Sequence, residues 1–153
     1  MDLGLQGRVA LVMAASKGLG RAVATELGRE GASVVISSRD EESLARTAAE
    51  ISDETGAEVE PRAADITRAE DVRALFSHAT DRFGGLDVLL NNTGGPPAGT
   101  FDDFGDEDWQ AAFELILLSL IRAVRGARPL MRERGGGASS TSPPPPSSNP
   151  SRT

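Results

Sequence analysis

The sequence of 153 residues contains no cysteine and no tyrosine, and only one histidine and one lysine. Without cysteine, disulfide scaffolds and thiolate metal sites are excluded, and we expect no metal centre. The chain has no apolar run of about 18 residues, the length that a membrane span needs. Its first residues also lack the basic start and apolar stretch of a signal peptide. We therefore expect a soluble, cytoplasmic protein without a membrane partner.

The chain also lacks an excess of positive charge. The net charge is −7, and the acidic residues are spread along the sequence. Nucleic-acid binding requires a basic stripe or patch, so a nucleic-acid partner is not expected. Hydrophobic residues make up 39% and charged residues 25%, which is typical of a globular domain with one core.

Short apolar runs rich in β-branched residues alternate with longer segments of helical spacing over residues 8–135. We predict strands over 8–15, 33–38, 58–64 and 86–90. Helices are predicted over about 19–30, from about Asp40, from a Thr67-x-x-Glu70 capping box, and over about 106–134. Four β-α units in succession predict an α/β fold with a parallel sheet covered on both faces.

A glycine-containing turn joins the first strand to the first helix and reads Ala14-Ala15-Ser16-Lys17-Gly18-Leu19-Gly20. Glycines allow a tight turn and a close approach to a pyrophosphate, and free N–H groups at a helix start bind negative charge. Such a turn alone suits a helix start without a ligand equally well. Its position at the start of a β-α series favours phosphate binding.

The spacing of this turn resembles the T-G-x-x-x-G-x-G motif of the short-chain dehydrogenase/reductase family, with Met13 and Ala14 in place of the Thr and the first Gly. The resemblance covers residues 5–135 and includes three further marks: Ala64-Asp65-Ile66 after the third strand, Asn91-Asn92-Thr93-Gly94 after the fourth, and Trp109 with Phe113 on the next helix. It implies a Rossmann-like doubly wound sheet. It also implies hydride transfer between a nicotinamide dinucleotide and a small carbonyl or alcohol substrate. Both this activity and homo-oligomer formation are expected of a full-length relative.

The resemblance places cofactor-binding residues in the glycine turn, at the ends of the second and third strands, and after the fourth strand. The candidates are Ala14, Ser16, Lys17, Gly18, Leu19, Gly20, Ser38, Arg39, Asp65, Ile66, Asn91, Asn92, Thr93 and Gly94.

The end of the second strand indicates which dinucleotide is bound. An acidic residue there would bind the ribose hydroxyls of NAD and repel a 2′-phosphate. This chain has Ser38 and Arg39 at that place, with Lys17 in the turn. Two cations and a hydroxyl favour NADP(H) over NAD(H). In the alternative, Arg39 only pairs with Asp40 or Glu42 on the surface.

The catalytic groups that the family carries are not found. The family uses a serine and a Tyr-x-x-x-Lys motif, in which the tyrosine is the general acid/base. This chain has no tyrosine, its only lysine is Lys17, and Ile116 stands where the family usually has a helix asparagine. His78 is expected to be a surface residue. We therefore predict no catalytic residue and no turnover in a chain truncated after the fourth β-α unit; the alternative is a non-catalytic nucleotide-binding or interaction module.

The composition changes after Gly135, and the remaining residues contain no large apolar side chain. We expect an incomplete nucleotide-binding domain over 1–135 and a disordered Ser/Pro-rich tail over 136–153, including Ser139, Ser140 and Ser142. The fourth strand would then be an open sheet edge. Shifting the reading frame by one base turns the tail into a strand-like sequence. A frameshift near Gly137 is therefore one explanation, a genuine proline-rich segment is the other, and sequencing the coding DNA separates them.

Overall fold

The computed structural model describes residues 3–141 and contains one parallel sheet of five strands. The strands are β1 Val9–Val12, β2 Ser33–Ser38, β3 Val59–Ala63, β4 Val88–Asn91 and β5 Ala138–Thr141, in the order β3-β2-β1-β4-β5. The helices are α1 Gly18–Arg29, α2 Glu41–Thr55, α3 Ala69–Phe83, α4 Asp106–Phe113 and α5 Ser119–Glu133. This is the Rossmann-like α/β fold that the sequence predicts. Within these residues, no helix is long and apolar enough to cross a membrane.

Helices cover both faces of the sheet, and each face has its own core. On one face, α1 and α2 pack on the sheet through Ala24, Leu44, Ala48 and Ile51, while α3 and α5 cover the other face. The residues predicted to face inward from α2 and α3 are all buried: Leu44, Ala48, Ile51, Val72, Leu75 and Phe76. Because both faces are covered, the central strand β1 carries a continuous, fully buried apolar run, VALV. The edge strand β3, VEPRA, is polar and partly to fully exposed.

The strand order reverses beside β1, because β2 and β4 lie on its two sides. The connections after β1 and β4 therefore leave the carboxyl edge in opposite directions and open a crevice there. Open α/β sheets bind their ligands at such a switch point. The fold thus brings the glycine turn and the Asn91–Gly94 segment to one place.

The prediction that β4 forms an open edge is wrong. Residues 138–141, which the sequence assigned to the tail, pair with β4 in parallel, with Val88 opposite Ala138 and Asn91 opposite Thr141. The sequence argument required large apolar side chains, whereas a ladder needs only backbone N–H and C=O groups. Left-handed Gly135 and Gly136 turn the chain back from α5 towards this strand. The disorder predicted for 142–153, which includes Ser142, lies outside the described residues.

Two predictions about helices also need correction. The Thr67–Glu70 capping box is absent: Arg68 is the residue before α3, and no side chain caps that end. Instead, Thr67 donates to Asp65, because an aspartate can close a turn with the residue two positions later. The long helix over 106–134 is divided by a π-helical turn over Glu114–Leu118, where the hydroxyl of Ser119 donates to the carbonyl of Leu115 at 2.5 Å. A polar side chain that bonds back to the preceding turn competes with the regular ladder.

Candidate functional site: the glycine turn and the sheet crevice

The glycine turn has a backbone shape that depends on small residues. Gly18 has φ +58, and Gly20 lies so close to Ala14 that a Cβ at position 20 would overlap the Ala14 carbonyl oxygen. Ala14 itself has φ +51, the left-handed conformation that L residues rarely adopt. The first glycine of the family motif is thus replaced by an alanine in a conformation that only glycine adopts without strain.

Hydrogen bonds from three other elements hold the turn in place. The amide of Asn92, after β4, donates to the carbonyl of Ala14 at 3.2 Å. The hydroxyl of Thr47, on α2, donates to the carbonyl of Ser16 at 3.0 Å. The N–H of Ala15 donates to the carbonyl of Ser37 at 2.9 Å. Because the carbonyls of Ala14 and Ser16 accept hydrogen bonds from other elements, the shape of the turn is fixed without a ligand.

The start of α1 faces solvent next to this turn. Lys17 precedes the helix, is exposed, and provides no side-chain cap, and the first turn contains no acidic residue. Leu19 is 56% exposed. The first N–H groups of a helix have no partner within the helix, and the helix dipole adds positive potential there. This end of α1 therefore suits an anion such as a phosphate group.

At the end of β2, Arg39 carries a positive charge that no ion pair within residues 3–141 neutralises. Ser38 donates its hydroxyl to the carbonyl of Asp40 at 3.2 Å, and the Asp40 carboxylate accepts from the N–H of Ser43 at the start of α2. Arg39 is exposed and forms no ion pair with any residue between 3 and 141. The alternative of a pair with Asp40 or Glu42 is therefore not seen in the structure.

The residues after β3 form a closed turn. Asp65 accepts two hydrogen bonds from Thr67, from its N–H at 3.0 Å and its hydroxyl at 2.7 Å. These bonds lower the pKa of the Asp65 carboxyl against the opposing effect of burial, and the charges of Arg39 and Arg68 lower it further. Arg39 and Asp65 are thus close enough to interact electrostatically. The adjacent Ile66 is partly buried against the core.

The segment after β4 divides into a buried and an exposed part. Asn91 is 1% exposed, and its Oδ1 has no hydrogen-bond partner among the described residues. Thr93 is 8% exposed, whereas Gly94 lies in solvent. Asn92 lies between them and binds the glycine turn, as described above. Of the candidate residues, Asn92 and Ala14 are in direct contact.

Two residues of this region were not found from the sequence. Thr47 lies in the middle of α2, and Arg122, on α5, donates to the carbonyl of Thr67 at 2.7 Å. Neither lies in a motif, and both act across more than 30 positions of sequence, so no local pattern identifies them. His78 is half-buried rather than on the surface, 3.7 Å from the carboxylate of Glu60. No group of three His, Asp or Glu residues in the described part of the chain is placed to hold a metal ion.

Comparisons with known proteins agree with this geometry. The family model of short chain dehydrogenases matches residues 8–139. A (5R,7aS)-5-hydroxy-7a-methyl-1-oxo-2,3,5,6,7,7a-hexahydro-1H-indene-carboxyl-CoA reductase of Mycobacterium tuberculosis is 39% identical over 130 residues, which are 84% of this chain and 50% of that protein. The chain thus spans about half the length of the curated relatives it matches.

Solved structures resemble the same region. L-sorbose reductase from Gluconobacter frateurii, complexed with NADPH and L-sorbose, has a TM-score of 0.88 and 36% identity and matches 92% of this chain and 54% of its own. An alcohol dehydrogenase from the archaeon Thermococcus sibiricus, complexed with 5-hydroxy-NADP, has a TM-score of 0.82 and 28% identity and matches 88% of this chain and 57% of its own.

Proposed function

Because the chain belongs to the short-chain dehydrogenase family, we propose that it is the dinucleotide-binding part of an oxidoreductase. The complete enzyme would transfer hydride between NADP(H) and a carbonyl or alcohol substrate. The observation that carries the proposal is the glycine turn: Gly20 leaves no space for a Cβ, and the turn leads into an uncapped helix start at the switch point of the sheet. Dinucleotide pyrophosphates bind at such a combination.

The preference for NADP(H) is supported by charge. Arg39 is exposed and without an ion pair in the described chain, and no acidic side chain ends β2. A 2′-phosphate beside Arg39 would gain a charge-assisted hydrogen bond, which is stronger than a neutral one. Two structurally similar enzymes were solved with NADPH and with 5-hydroxy-NADP. Ser38 and Lys17 are the further groups that we assign to this phosphate.

These 153 residues are proposed to bind the dinucleotide without turning over substrate. They contain no tyrosine, and the only lysine is Lys17 in the glycine turn. A non-catalytic nucleotide-binding module is therefore the second candidate function. Cytoplasmic localisation stays a prediction from the sequence.

Titration calorimetry of the full chain with NADPH and NADH tests the proposal. We expect micromolar NADPH binding that Arg39→Asp weakens at least about tenfold, because the 2′-phosphate loses its cation. NADH binding should stay the same or tighten, because NADH has no 2′-phosphate and a carboxylate at this place can accept from its ribose hydroxyls. Arg128→Asp, at an exposed position on α5, makes the same charge change elsewhere and is the control. Absence of NADPH binding by a folded chain would overturn the proposal, and equal losses in both variants would remove the role of Arg39.

We further propose that the complete protein is a homo-oligomer that buries the π-helical region. Phe113 is 49% and Leu117 42% exposed, an unusual exposure for neighbouring apolar side chains. Sedimentation velocity is expected to show self-association of the chain that Leu117→Gln reduces without loss of thermal stability. A monomeric wild-type chain at all concentrations would contradict this proposal for the present residues.

A further inference from the structure

The segment between β4 and α4 places aromatic rings on the surface. Phe101 is 79% and Trp109 51% exposed, with their ring centroids 5.8 Å apart. Phe104 meets Trp109 edge-on, at 6.4 Å and 81°. A groove of about 90 Å³ lies beside them, lined by Pro96, Pro97, Phe104, Asp108, Trp109 and Ala112. Its walls are therefore prolines, aromatic rings and one methyl group, with Asp108 as the single ionisable residue.

Local hydrogen bonds hold these walls in position. The carboxylate of Asp103 accepts from the N–H of Thr100 at 2.7 Å and from its hydroxyl at 2.9 Å. The carboxylate of Asp108 accepts from the N–H of Gly105 at 2.9 Å. The ring of Phe104 lies over Gly99, where a Cβ would overlap it. Since both prolines also have a fixed φ, the groove is formed before a ligand enters.

The proline wall of the groove is next to the crevice segment in the sequence. It follows directly from the Asn91–Gly94 segment at the carboxyl end of β4, one strand away from the glycine turn. A dinucleotide bound at the switch point would lie at this carboxyl end of β4, from which the chain enters the proline wall.

Carboxylates are concentrated in the segment that carries this apolar surface. Five lie within seven positions, and all are exposed: Asp102, Asp103, Asp106, Glu107 and Asp108. Like charges repel a negatively charged ligand, and apolar walls cannot compensate its lost hydration. The same surface does not oppose a neutral ring system, which can stack on the aromatic side chains.

We propose that this groove binds the ring system of a neutral, ring-bearing carbonyl or alcohol substrate and rejects anionic ones. The groove is a substrate subsite assigned from its own walls, and its link to hydride transfer rests on the proposed function. Phe104 and Trp109 select rings through face and edge contacts, while Asp108 and the other carboxylates of this segment select against negative charge.

The single tryptophan provides a direct test, because Trp109 is the chain's only one and no tyrosine contributes emission. The full chain is titrated with the bicyclic ketone decalone, with the open-chain ketone decanone, and with an oxo-decalin carboxylate, each with and without NADPH. We expect saturable change in Trp109 emission with decalone. Binding of decanone and of the carboxylate is expected to be at least about tenfold weaker, the factor that corresponds to about 1.4 kcal/mol.

Matched variants localise the site. Phe104→Leu and Pro97→Gly alter two walls and are expected to weaken decalone binding about tenfold. Phe83→Leu, at the end of α3 and outside the groove, makes the same change as Phe104→Leu and should leave binding unchanged. Circular dichroism establishes that each variant is folded.

The outcomes separate this inference from the proposed function. NADPH binding without any response to decalone overturns the subsite alone, whereas failure of NADPH binding overturns the proposed function. If the oxo-decalin carboxylate binds as tightly as decalone, the proposed selection against negative charge is wrong. Emission that shifts with protein concentration and does not respond to decalone means that a second copy covers the groove, and this also overturns the proposal.

Discussion

Two loops leave the carboxyl edge of the same sheet from neighbouring strands, and they are stabilised in different ways. The glycine turn after β1 is held by Asn92, Thr47 and the backbone of Ser37, which belong to three different parts of the fold. The segment 95–118 after β4 is held mainly by its own short bonds, such as those of Asp103 and Asp108. The first loop therefore has its shape imposed by the whole domain. The second loop is shaped by its own hydrogen bonds, and its aromatic and leucine side chains stay exposed, where a ligand or a partner can contact them.

The largest effect is expected at the amino edge of the sheet, where Asp87 joins the starts of β1 and β4, the two strands from which the loops leave. Asp87 is 2% exposed and accepts from the N–H of Val9 at 2.8 Å, from Arg8 at 3.0 Å and from Arg134 at 2.8 Å. Asp87→Asn removes the charge that pairs both guanidinium groups. We expect a loss of about 2–3 kcal/mol in the free energy of unfolding, below the range for fully buried pairs because both arginines are partly exposed. Urea denaturation at pH 7 measures it.

Asp81→Asn, at an exposed position on α3, is the control and should change stability by less than about 0.5 kcal/mol. If both variants unfold alike, the Asp87 cluster does not hold β4.

The same cluster predicts a pH dependence. Burial raises the pKa of the Asp87 carboxyl, but the hydrogen bonds from Arg134, from Val9 and from Arg8 outweigh it, and the pKa lies below its ordinary value of 3.8. A lowered folded-state pKa contributes stability that is complete above the ordinary pKa and is lost as the pH falls through the folded value. The stability difference between wild type and Asp87→Asn should therefore shrink below about pH 4. A difference that stays constant down to pH 2 would contradict this assignment.

One substitution made in each loop tests the comparison directly. A Cβ at position 20 overlaps the Ala14 carbonyl, whereas position 105 has its nearest contact, the Asp108 carboxylate, at 4.0 Å. Gly20→Ser should cost about 1–3 kcal/mol of stability and abolish NADPH binding, because the turn must open. Gly105→Ser should be neutral or slightly stabilising, since serine is a good residue before a helix. Thermal unfolding and calorimetry measure both, and an equal cost at the two positions would contradict the comparison.

Much of the fold could be predicted from the sequence because it depends on local patterns. The runs VALV and SVVISS predict strands, and the spacing of Leu44, Ala48 and Ile51 predicts a buried helix face. The positions of the glycine turn and of Asn92 also follow from short motifs. These features need only neighbouring residues, so sequence reasoning reaches them.

The remaining features depend on contacts between distant residues. β5 forms because β4 offers an unpaired ladder, a condition that the residues 138–141 do not reveal. The bonds of Thr47 and Arg122 join helices to loops 31 and 55 positions away. The groove beside Trp109 requires Pro96 and Pro97 to fold back on α4. The left-handed conformation of Ala14 likewise arises from its surroundings, since alanine alone disfavours it.

The smallest expected effect is that of replacing Ala14 by glycine, where backbone strain and unfolded-state entropy change the stability in opposite directions. At φ +51, Ala14 loses about 1 kcal/mol or somewhat more relative to a glycine in the same conformation. Glycine, however, gains about 0.4–1 kcal/mol of unfolded-state entropy that folding must remove. The first term is slightly larger, so Ala14→Gly should stabilise the chain by about 0.5 kcal/mol.

Ala15→Gly is the matched control: Ala15 is fully buried and has no positive φ, so the entropic cost and the lost methyl contact should destabilise the chain by about 1 kcal/mol or more. Urea denaturation of both variants measures the difference. Opposite signs support strain in the glycine turn, whereas equal destabilisation would mean that the surroundings of Ala14 relax and that the turn stores no strain.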